Sequence, residues 1–145
     1  MQVPNPPIML VEDDDLDVSI MTQAVIDSGI GGPLLVAQGA RQALELLHEQ
    51  ARHGAIAPRF VLLDIKMTDM TGHDLLRAIK SDPRLAPLCV VIFTTSNDPS
   101  DRRRAYAAGA AGYFVKPLSY EELLIRLQVL ERYFDLCEPS EWGHG

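Results

Sequence analysis

Short apolar segments alternate with amphipathic segments along the chain. Nearly continuous apolar runs predict buried strands at residues 8–11, 34–37, 60–63, 89–93 and 112–115. After each run, apolar residues recur at intervals of three and four, which predicts helices over about 15–28, 40–53, 73–80, 97–108 and 119–136. Strands that are apolar throughout are typical of sheets covered on both faces. Five successive strand–helix units predict a doubly wound α/β domain, (βα)5, with a five-stranded parallel sheet.

Polar residues follow four of the predicted strands, at the sheet edge where functional groups collect in parallel α/β folds. Glu12 and Asp13 follow the first strand, and Asp64 follows the third. Thr94 follows the fourth strand, and Lys116 follows the fifth. The predicted topology therefore brings three carboxylates, a hydroxyl and an ammonium group to one edge of the sheet.

This set of side chains points to phosphoryl chemistry. Crowded carboxylates repel one another, which raises their proton affinity unless a cation compensates. Their oxygens suit a hard ion such as Mg²⁺, which prefers carboxylates together with phosphate oxygens. A carboxylate can then act as a nucleophile toward phosphorus, as in enzymes that form an aspartyl phosphate. We interpret Asp64 as the reacting group, with Lys116 supplying positive charge and Thr94 donating to the phosphoryl group.

Composition and charge narrow the setting of this chemistry. The chain has 145 residues, of which 47% are hydrophobic, enough for one domain with a sizeable core. Its formal net charge of −7 argues against a nucleic-acid partner, since phosphate backbones bind clustered lysine and arginine. The chain has only two cysteines, and its sequence shows neither a signal peptide nor an apolar run long enough to span a membrane. We therefore predict a cytoplasmic protein with reduced thiols and no membrane association.

Several charged residues have simpler interpretations. Asp14, Asp15 and Asp17 fit the cap and first turn of a helix better than a metal site, because acidic side chains favour the helix dipole there. The histidines show no metal-ligand spacing. All four are expected at the surface, namely His48, His53, His73 and His144.

Taken together, four segments resemble the receiver domain of bacterial two-component response regulators, the CheY-like family. The segments are VEDD (11–14), LLDIKMTDMTG (62–72), FTTS (93–96) and AAGAAGYFVKP (107–117). The resemblance covers nearly the whole chain and implies a flavodoxin-like fold with strand order 2-1-3-4-5. We place the receiver domain, with an extended last helix, at residues 1–138 and a short C-terminal tail at residues 139–145.

The resemblance also implies what the site does. Asp64 would be the phosphoacceptor, and Glu12, Asp13 and Asp64 would bind Mg²⁺ or Mn²⁺ with the backbone carbonyl of Lys66 as a further ligand. Such a domain is a signalling protein rather than an enzyme. It catalyses only its own phosphorylation by a sensor histidine kinase and its own slow dephosphorylation.

Three further residues receive roles from the resemblance. Thr94 would be the switch hydroxyl and Tyr113 the aromatic switch, and Lys116 would contact the phosphoryl group. The peptide bond between Lys116 and Pro117 would be cis, as a tight turn after a strand permits. Phosphorylation would then be read through a change in the surface around the fourth helix, fifth strand and fifth helix.

The chain departs from the family pattern in the loop after Asp64. Proline usually stands four residues after the phosphoacceptor, where this chain has Thr68, and aspartate is common at the position of Thr71. Lys66 and Ser96 lie at the two positions that border the hydrolytic water in the family. Neither is an obvious general base, since a lysine side chain carries a proton at neutral pH. We therefore expect a long-lived phosphorylated state.

Some segments resemble a narrower group, the single-domain regulators that partner bacterial phytochrome histidine kinases. They are IKSDPRL (79–85), VVIFTTS (90–96) and the tyrosine in RRRAYAAGA (102–110). The resemblance implies a bacteriophytochrome as the kinase partner. The last helix has more apolar residues than docking on a sheet requires, which predicts a homodimer through it. These residues are Leu123, Leu127, Leu130, Tyr133, Phe134 and Leu136.

Two other functions conflict with particular residues of the chain. A haloacid-dehalogenase-type phosphatase needs a second aspartate two residues after the nucleophile, where Lys66 stands. A flavodoxin-type FMN carrier needs a phosphate loop after the first strand, where VEDDDLD would repel a phosphate. An unphosphorylated docking module and a phosphate sink of a phosphorelay remain open. What recognises the phosphorylated state is also open: a partner protein, a phosphotransfer protein or the dimer itself.

Overall fold

Strands and helices alternate along the chain in the computed structural model, which describes residues 5–144. The strands are β1 (Ile8–Val11), β2 (Leu34–Ala37), β3 (Val61–Leu63), β4 (Val90–Thr94) and β5 (Gly112–Val115). The helices are α1 (Asp15–Asp27), α2 (Ala40–Arg52), α3 (Gly72–Ser81), α4 (Pro99–Ala107) and α5 (Tyr120–Leu136). All strand pairs are parallel, in the order β2-β1-β3-β4-β5. The predicted doubly wound architecture and strand order are confirmed.

Both faces of the sheet are covered by helices, and each face has its own hydrophobic core. Met9 and Val11 of β1 face the core that includes buried residues of α2, α3 and α4. Ile8 and Leu10 face the opposite core, with buried residues of α1 and α5. Successive side chains of a strand point to opposite faces, so a strand covered on both sides is apolar at every position. This explains the continuous apolar runs in the sequence.

The first turn of α2 is capped by a residue from another loop. The N-cap position of α2 is Gly39, which has a φ of +126° and no side chain that could accept a hydrogen bond. Instead, the Asp69 carboxylate accepts hydrogen bonds from the backbone N–H groups of Ala40 (3.3 Å) and Arg41 (3.0 Å). The Arg41 N–H is the main reason that the pKa of Asp69 lies below its usual value. Asp69 thereby ties the loop after β3 to α2.

The C-terminal segment packs across the amino-terminal ends of the strands. Beyond α5, the Trp142 indole donates a hydrogen bond to the Ala55 carbonyl (2.7 Å) and packs against the core beneath α2 and α3. The Gly143 N–H donates to the Arg84 carbonyl (2.8 Å). The predicted tail is therefore packed on the domain as far as Gly143. Residues 1–4 and 145 of the predicted segments lie outside the described residues.

Two expectations from the sequence are wrong. His73 is only 3% exposed, because the first turn of α3 faces the core, whereas His48, His53 and His144 are partly or fully exposed as predicted. The Lys116–Pro117 peptide bond is trans, as are the other peptide bonds of residues 5–144. The trans form of an X–Pro bond is favoured intrinsically by roughly 0.5–1 kcal/mol. Within residues 5–144, we find no helix with the length and apolar character needed to cross a membrane.

Candidate functional site

Four ionisable side chains meet at the carboxyl edge of the sheet. The Lys116 ammonium lies 3.1 Å from Asp64 Oδ2, 3.2 Å from Glu12 Oε2 and 3.5 Å from Asp17 Oδ2. Glu12, Asp64 and Lys116 follow the ends of β1, β3 and β5, and Asp17 lies in the first turn of α1. We call these four residues the lysine–carboxylate cluster. The parallel topology brings them together, because neighbouring strands end at the same edge.

Two carboxyl groups of the cluster are buried and have opposite protonation preferences. Glu12 is 2% exposed and Asp64 is 7% exposed. Burial, followed by the hydrogen bond and the charge of Asp64, raises the pKa of Glu12 to about 8. Burial also acts on Asp64, but the hydrogen bond with Glu12, the charge of Lys116 and the Lys66 N–H (3.2 Å) bring its pKa below the usual value. At neutral pH Glu12 therefore holds a proton, and Asp64 is ionised.

Lys116 supplies the positive charge that makes this arrangement possible. Its side chain is largely buried, and burial alone would lower the pKa of the ammonium group. The carboxylates of Asp64 and Glu12 outweigh that effect, so the pKa of Lys116 is raised. A charged ammonium group at the centre of the cluster offsets the repulsion between the carboxylates.

The cluster also has the donor set of a divalent-cation site. One oxygen from each of Glu12, Asp17 and Asp64 lies within 4.8 Å of the others. Burial and the neighbouring Asp64 carboxylate leave Glu12 protonated at neutral pH even with Lys116 nearby. A hard cation with a preference for oxygen ligands would replace that proton and relieve the repulsion. The residues present therefore fit Mg²⁺ or Mn²⁺.

Asp13 lies outside this group of oxygens. Its Oδ2 atom accepts hydrogen bonds from the Thr68 N–H (2.8 Å) and the Thr68 hydroxyl (3.0 Å). From the sequence, Asp13 is expected in the site and Asp17 as a first-turn residue, and the structure also brings Asp17 to Lys116. The signal for Asp17 is its position in the first turn of a helix that begins directly at the reactive edge.

The two predicted switch residues contact the backbone of the same residue, Ser96. Thr94 is fully buried at the end of β4, and its hydroxyl oxygen accepts a hydrogen bond from the Ser96 N–H (3.3 Å). Tyr113 is half-buried on β5, and its hydroxyl donates to the Ser96 carbonyl (3.0 Å). Burial is the main cause of the raised pKa of Tyr113. The loop after β4 is therefore held from both sides.

The side chain of Ser96 is bound to α4. Its hydroxyl donates to Asp101, and the other carboxylate oxygen of Asp101 lies 3.2 Å from His73 Nε2. The Ser96 hydrogen bond is the main cause of the lowered pKa of Asp101. Sequence reasoning missed this link, because nothing in the spacing of His73 and Asp101 marks them as partners. Lys66, the other predicted hydrolysis-tuning residue, has an exposed side chain whose Nζ lies 3.5 Å from Thr95 Oγ1.

Comparison with known proteins gives a consistent match. A sequence model described as a response regulator receiver domain matches residues 8–128. A probable methanogenesis regulatory protein, FilR2 of Methanothrix harundinacea, is 34% identical over 127 residues, which are 88% of this chain and 82% of that protein. Response regulator Rcp1 of Synechocystis is 28% identical over 133 residues, with 90% of each chain covered.

Solved structures agree with these sequence matches. The Mn²⁺-bound form of response regulator Rcp1 has a TM-score of 0.80 at 25% identity, covering 93% of this chain and 99% of that one. The bacteriophytochrome response regulator RtBRR has a TM-score of 0.72 at 29% identity, covering 87% of this chain and 76% of that one. The sequence match over residues 8–128 includes the five strands and all four residues of the lysine–carboxylate cluster.

The raised pKa of Glu12 predicts how stability depends on pH without a metal. In the native state this carboxyl keeps its proton up to about pH 8, whereas the ordinary value for the unfolded chain is 4.5. Between these values the native state binds more protons, so this contribution to the free energy of unfolding declines as the pH rises. We expect Glu12→Gln to remove that part of the decline, measured by urea denaturation in EDTA across this range.

The matched control for this measurement is Glu45→Gln, which removes an exposed carboxyl on α2. It should keep the pH dependence of the wild-type protein. Equal pH dependence in Glu12→Gln and wild type would show that Glu12 is ionised in the native state throughout the range.

Proposed function

The chain belongs to the response regulator receiver domain family, and on this premise we propose that it accepts a phosphoryl group on Asp64 from a sensor histidine kinase. The reaction takes place in the cytoplasm and depends on Mg²⁺ or Mn²⁺. The observation that carries this proposal is the buried, ionised Asp64 carboxylate, 3.1 Å from the Lys116 ammonium and beside further carboxylates. A buried carboxylate that specific partners hold in its ionised form is typical of a functional site.

The proposed step is a displacement at phosphorus. An Asp64 carboxylate oxygen attacks the phosphorus of a phosphohistidine, so that a P–O bond forms while the P–N bond breaks and the imidazole leaves with the electron pair. The low pKa of Asp64 keeps the attacking oxygen ionised. Lys116 offers its ammonium group to the incoming phosphoryl oxygens, and Thr94 offers its hydroxyl. The protein thus modifies itself rather than a separate substrate.

The metal ligands in this proposal are the carboxylates of Glu12, Asp13 and Asp64 with the backbone carbonyl of Lys66. A bound Mg²⁺ or Mn²⁺ supplies positive charge that neutralises the carboxylates and the phosphoryl oxygens. Binding would require loss of the Glu12 proton. It would also require movement of Asp13, whose carboxylate is now held by Thr68.

The proposed output is a change of the surface near the loop after β4. A phosphoryl group on Asp64 gives the Thr94 hydroxyl hydrogen a new acceptor, and turning of the Thr94 side chain toward it moves the hydroxyl oxygen away from the Ser96 N–H. The Tyr113 hydroxyl is bound to the carbonyl of the same residue, so its position responds to the same movement. This is a local charge event that biases a two-state element. A downstream phosphotransfer protein or another partner would read it.

The kinase in this proposal is a bacteriophytochrome. Support comes from the similarity to RtBRR, a bacteriophytochrome response regulator. The alternatives are an unphosphorylated docking module and a phosphate sink. The site contains a carboxylate that can accept a phosphoryl group, Asp64, with the Lys116 ammonium beside it and the Glu12 carboxyl next to that ammonium. This arrangement favours phosphoryl acceptance over the docking module.

A homodimer through α5 is also part of the proposal, although its basis differs from that given by the sequence. Leu123, Leu127 and Leu130 are buried against the sheet, and Phe134 stacks on Phe60 at 4.7 Å, so these residues serve the fold. Four of the exposed apolar residues of α5 form one stripe along the helix at intervals of four, four and three. They are Ile125, Val129, Tyr133 and Leu136, each at least 52% exposed. Such a stripe is the surface that a second copy would cover.

Incubation with acetyl phosphate and Mg²⁺ tests the phosphoacceptor. We expect intact-mass spectrometry to show a gain of about 80 Da, the mass of one phosphoryl group in an acyl phosphate. The adduct should be absent in Asp64→Asn and absent without Mg²⁺. If the folded wild-type protein gains no mass from acetyl phosphate or from bacteriophytochrome and other candidate histidine kinases, the docking module is the correct alternative.

The lifetime of the phosphoryl group tests the roles of Lys66 and Ser96. Because neither residue supplies a general base, the adduct should persist for minutes or longer after acetyl phosphate is removed. Lys66→Glu places a carboxylate beside the acyl phosphate and should shorten the lifetime, whereas Lys66→Arg should not. Decay within seconds in the wild-type protein would contradict the proposed roles.

Ultracentrifugation at high micromolar concentration tests the dimer. Ile125→Asp introduces a charge into the exposed stripe, and we expect it to convert a dimer into a monomer. The matched control is Ile26→Asp on α1, an exposed isoleucine outside the stripe, which should leave the mass unchanged. A monomeric wild-type protein, both with and without the phosphoryl group, would remove the dimer from the proposal.

A further inference from the structure

We propose that Thr68 is a positioning residue that holds Asp13 outside the lysine–carboxylate cluster and thereby lowers the affinity of the site for divalent cations. The inference rests on the proposed function, because it takes Asp13 to be a ligand once a cation binds. Thr68 itself touches neither the cation nor the phosphoryl group in this proposal. Its effect is exerted through the position of one carboxylate.

Both hydrogen-bond donors of Thr68 converge on one carboxylate oxygen. The backbone N–H lies 2.8 Å from Asp13 Oδ2, and the hydroxyl lies 3.0 Å from the same atom. Within residues 5–144, these are the hydrogen bonds that the Asp13 side chain makes. The third carboxylate beside Lys116 is meanwhile Asp17, at 3.5 Å. The structure therefore shows a defined position for Asp13 away from the cluster.

Thr68 cannot readily follow Asp13, because its loop is fixed on both sides. The next residue, Asp69, accepts hydrogen bonds from the first turn of α2 at 3.3 and 3.0 Å. Met67 and Met70, which flank this pair, pack against the core beneath α2 and α3. A movement of Asp13 toward Glu12 and Asp64 would therefore break its bonds to Thr68 rather than carry the loop along.

The residue type at this position decides whether the restraint exists. Thr68 stands where response regulators usually carry proline, which has neither an N–H nor a hydroxyl to donate. With proline at position 68, the Asp13 carboxylate would have no hydrogen bonds from this residue to break when a cation binds. Hydrogen bonds to a charged group are stronger than those between neutral groups, so the restraint has a measurable effect on cation binding.

Titration calorimetry with Mg²⁺ tests the proposal directly. Thr68→Val keeps the side-chain shape and removes the hydroxyl, and we expect it to raise the Mg²⁺ affinity roughly three- to tenfold. Thr68→Pro removes both donors and should raise the affinity further. Thr68→Ser keeps both donors and should bind Mg²⁺ as the wild-type protein does. Circular dichroism verifies that each variant is folded, and Thr68→Val alone suffices if the proline variant is not.

A second set of variants tests whether the effect acts through Asp13. In an Asp13→Asn background, Thr68→Val should no longer change the affinity, because the carboxylate that it restrains is absent. Hydrogen exchange at the Thr68 amide gives a readout that a purely structural role would not move. This amide should exchange faster when Mg²⁺ is added to the wild-type protein.

The possible outcomes separate this inference from the proposed function. Unchanged or weaker Mg²⁺ binding by Thr68→Val, in a wild-type protein that binds Mg²⁺ and gains a phosphoryl group, would overturn the inference alone. An increase that persists in the Asp13→Asn background would overturn it as well. A wild-type protein that binds no Mg²⁺ would overturn both the inference and the Mg²⁺-dependent function.

Discussion

The rest of the site depends on one ammonium group placed among three carboxylates at an edge of the sheet where water is largely excluded. Lys116 lies within 3.5 Å of Glu12, Asp17 and Asp64, and its charge acts together with the hydrogen bond with Glu12 to keep Asp64 ionised while buried. Burial, together with the hydrogen bond and the charge of Asp64, leaves Glu12 protonated. A bound cation would replace that proton and stabilise both carboxylates, so the cluster is suited to a reaction that brings in a cation.

The loops after β3 and β4, which lie beside this cluster, are hydrogen-bonded to neighbouring elements. The loop after β3 is tied to Asp13 through Thr68 and to α2 through Asp69. The loop after β4 is tied to β5 through Tyr113 and, through Ser96 and Asp101, to His73 at the start of α3. In the proposed function, a phosphoryl group on Asp64 would act on these two loops, which hydrogen bonds join to α2, α3 and β5.

The fold and the site are predictable from sequence to different extents. Continuous apolar strands dictate a sheet covered on both faces, and the polar residues at their ends identify Glu12, Asp64 and Lys116 with no structure at hand. Side-chain direction is harder to predict. The sequence places Asp13 and Asp17 within one helical turn of each other, but only the contacts with Thr68 and Lys116 decide which carboxylate joins the cluster. The burial of His73 was missed for the same reason, since its partner, Asp101, lies on another helix.

Trp142 gives the molecule an optical property that follows from where its ring lies. It is the single tryptophan of the chain, and it is bound to the Ala55 carbonyl at the amino-terminal ends of the strands. Asp64 lies at the opposite ends, roughly 10–17 Å away along strands of three to five residues. When the indole is excited at the red edge of its absorption band, its fluorescence therefore reports whether the C-terminal segment is packed on the domain. It is a fluorescent marker of that end of the domain, separate in space from the chemistry at the other.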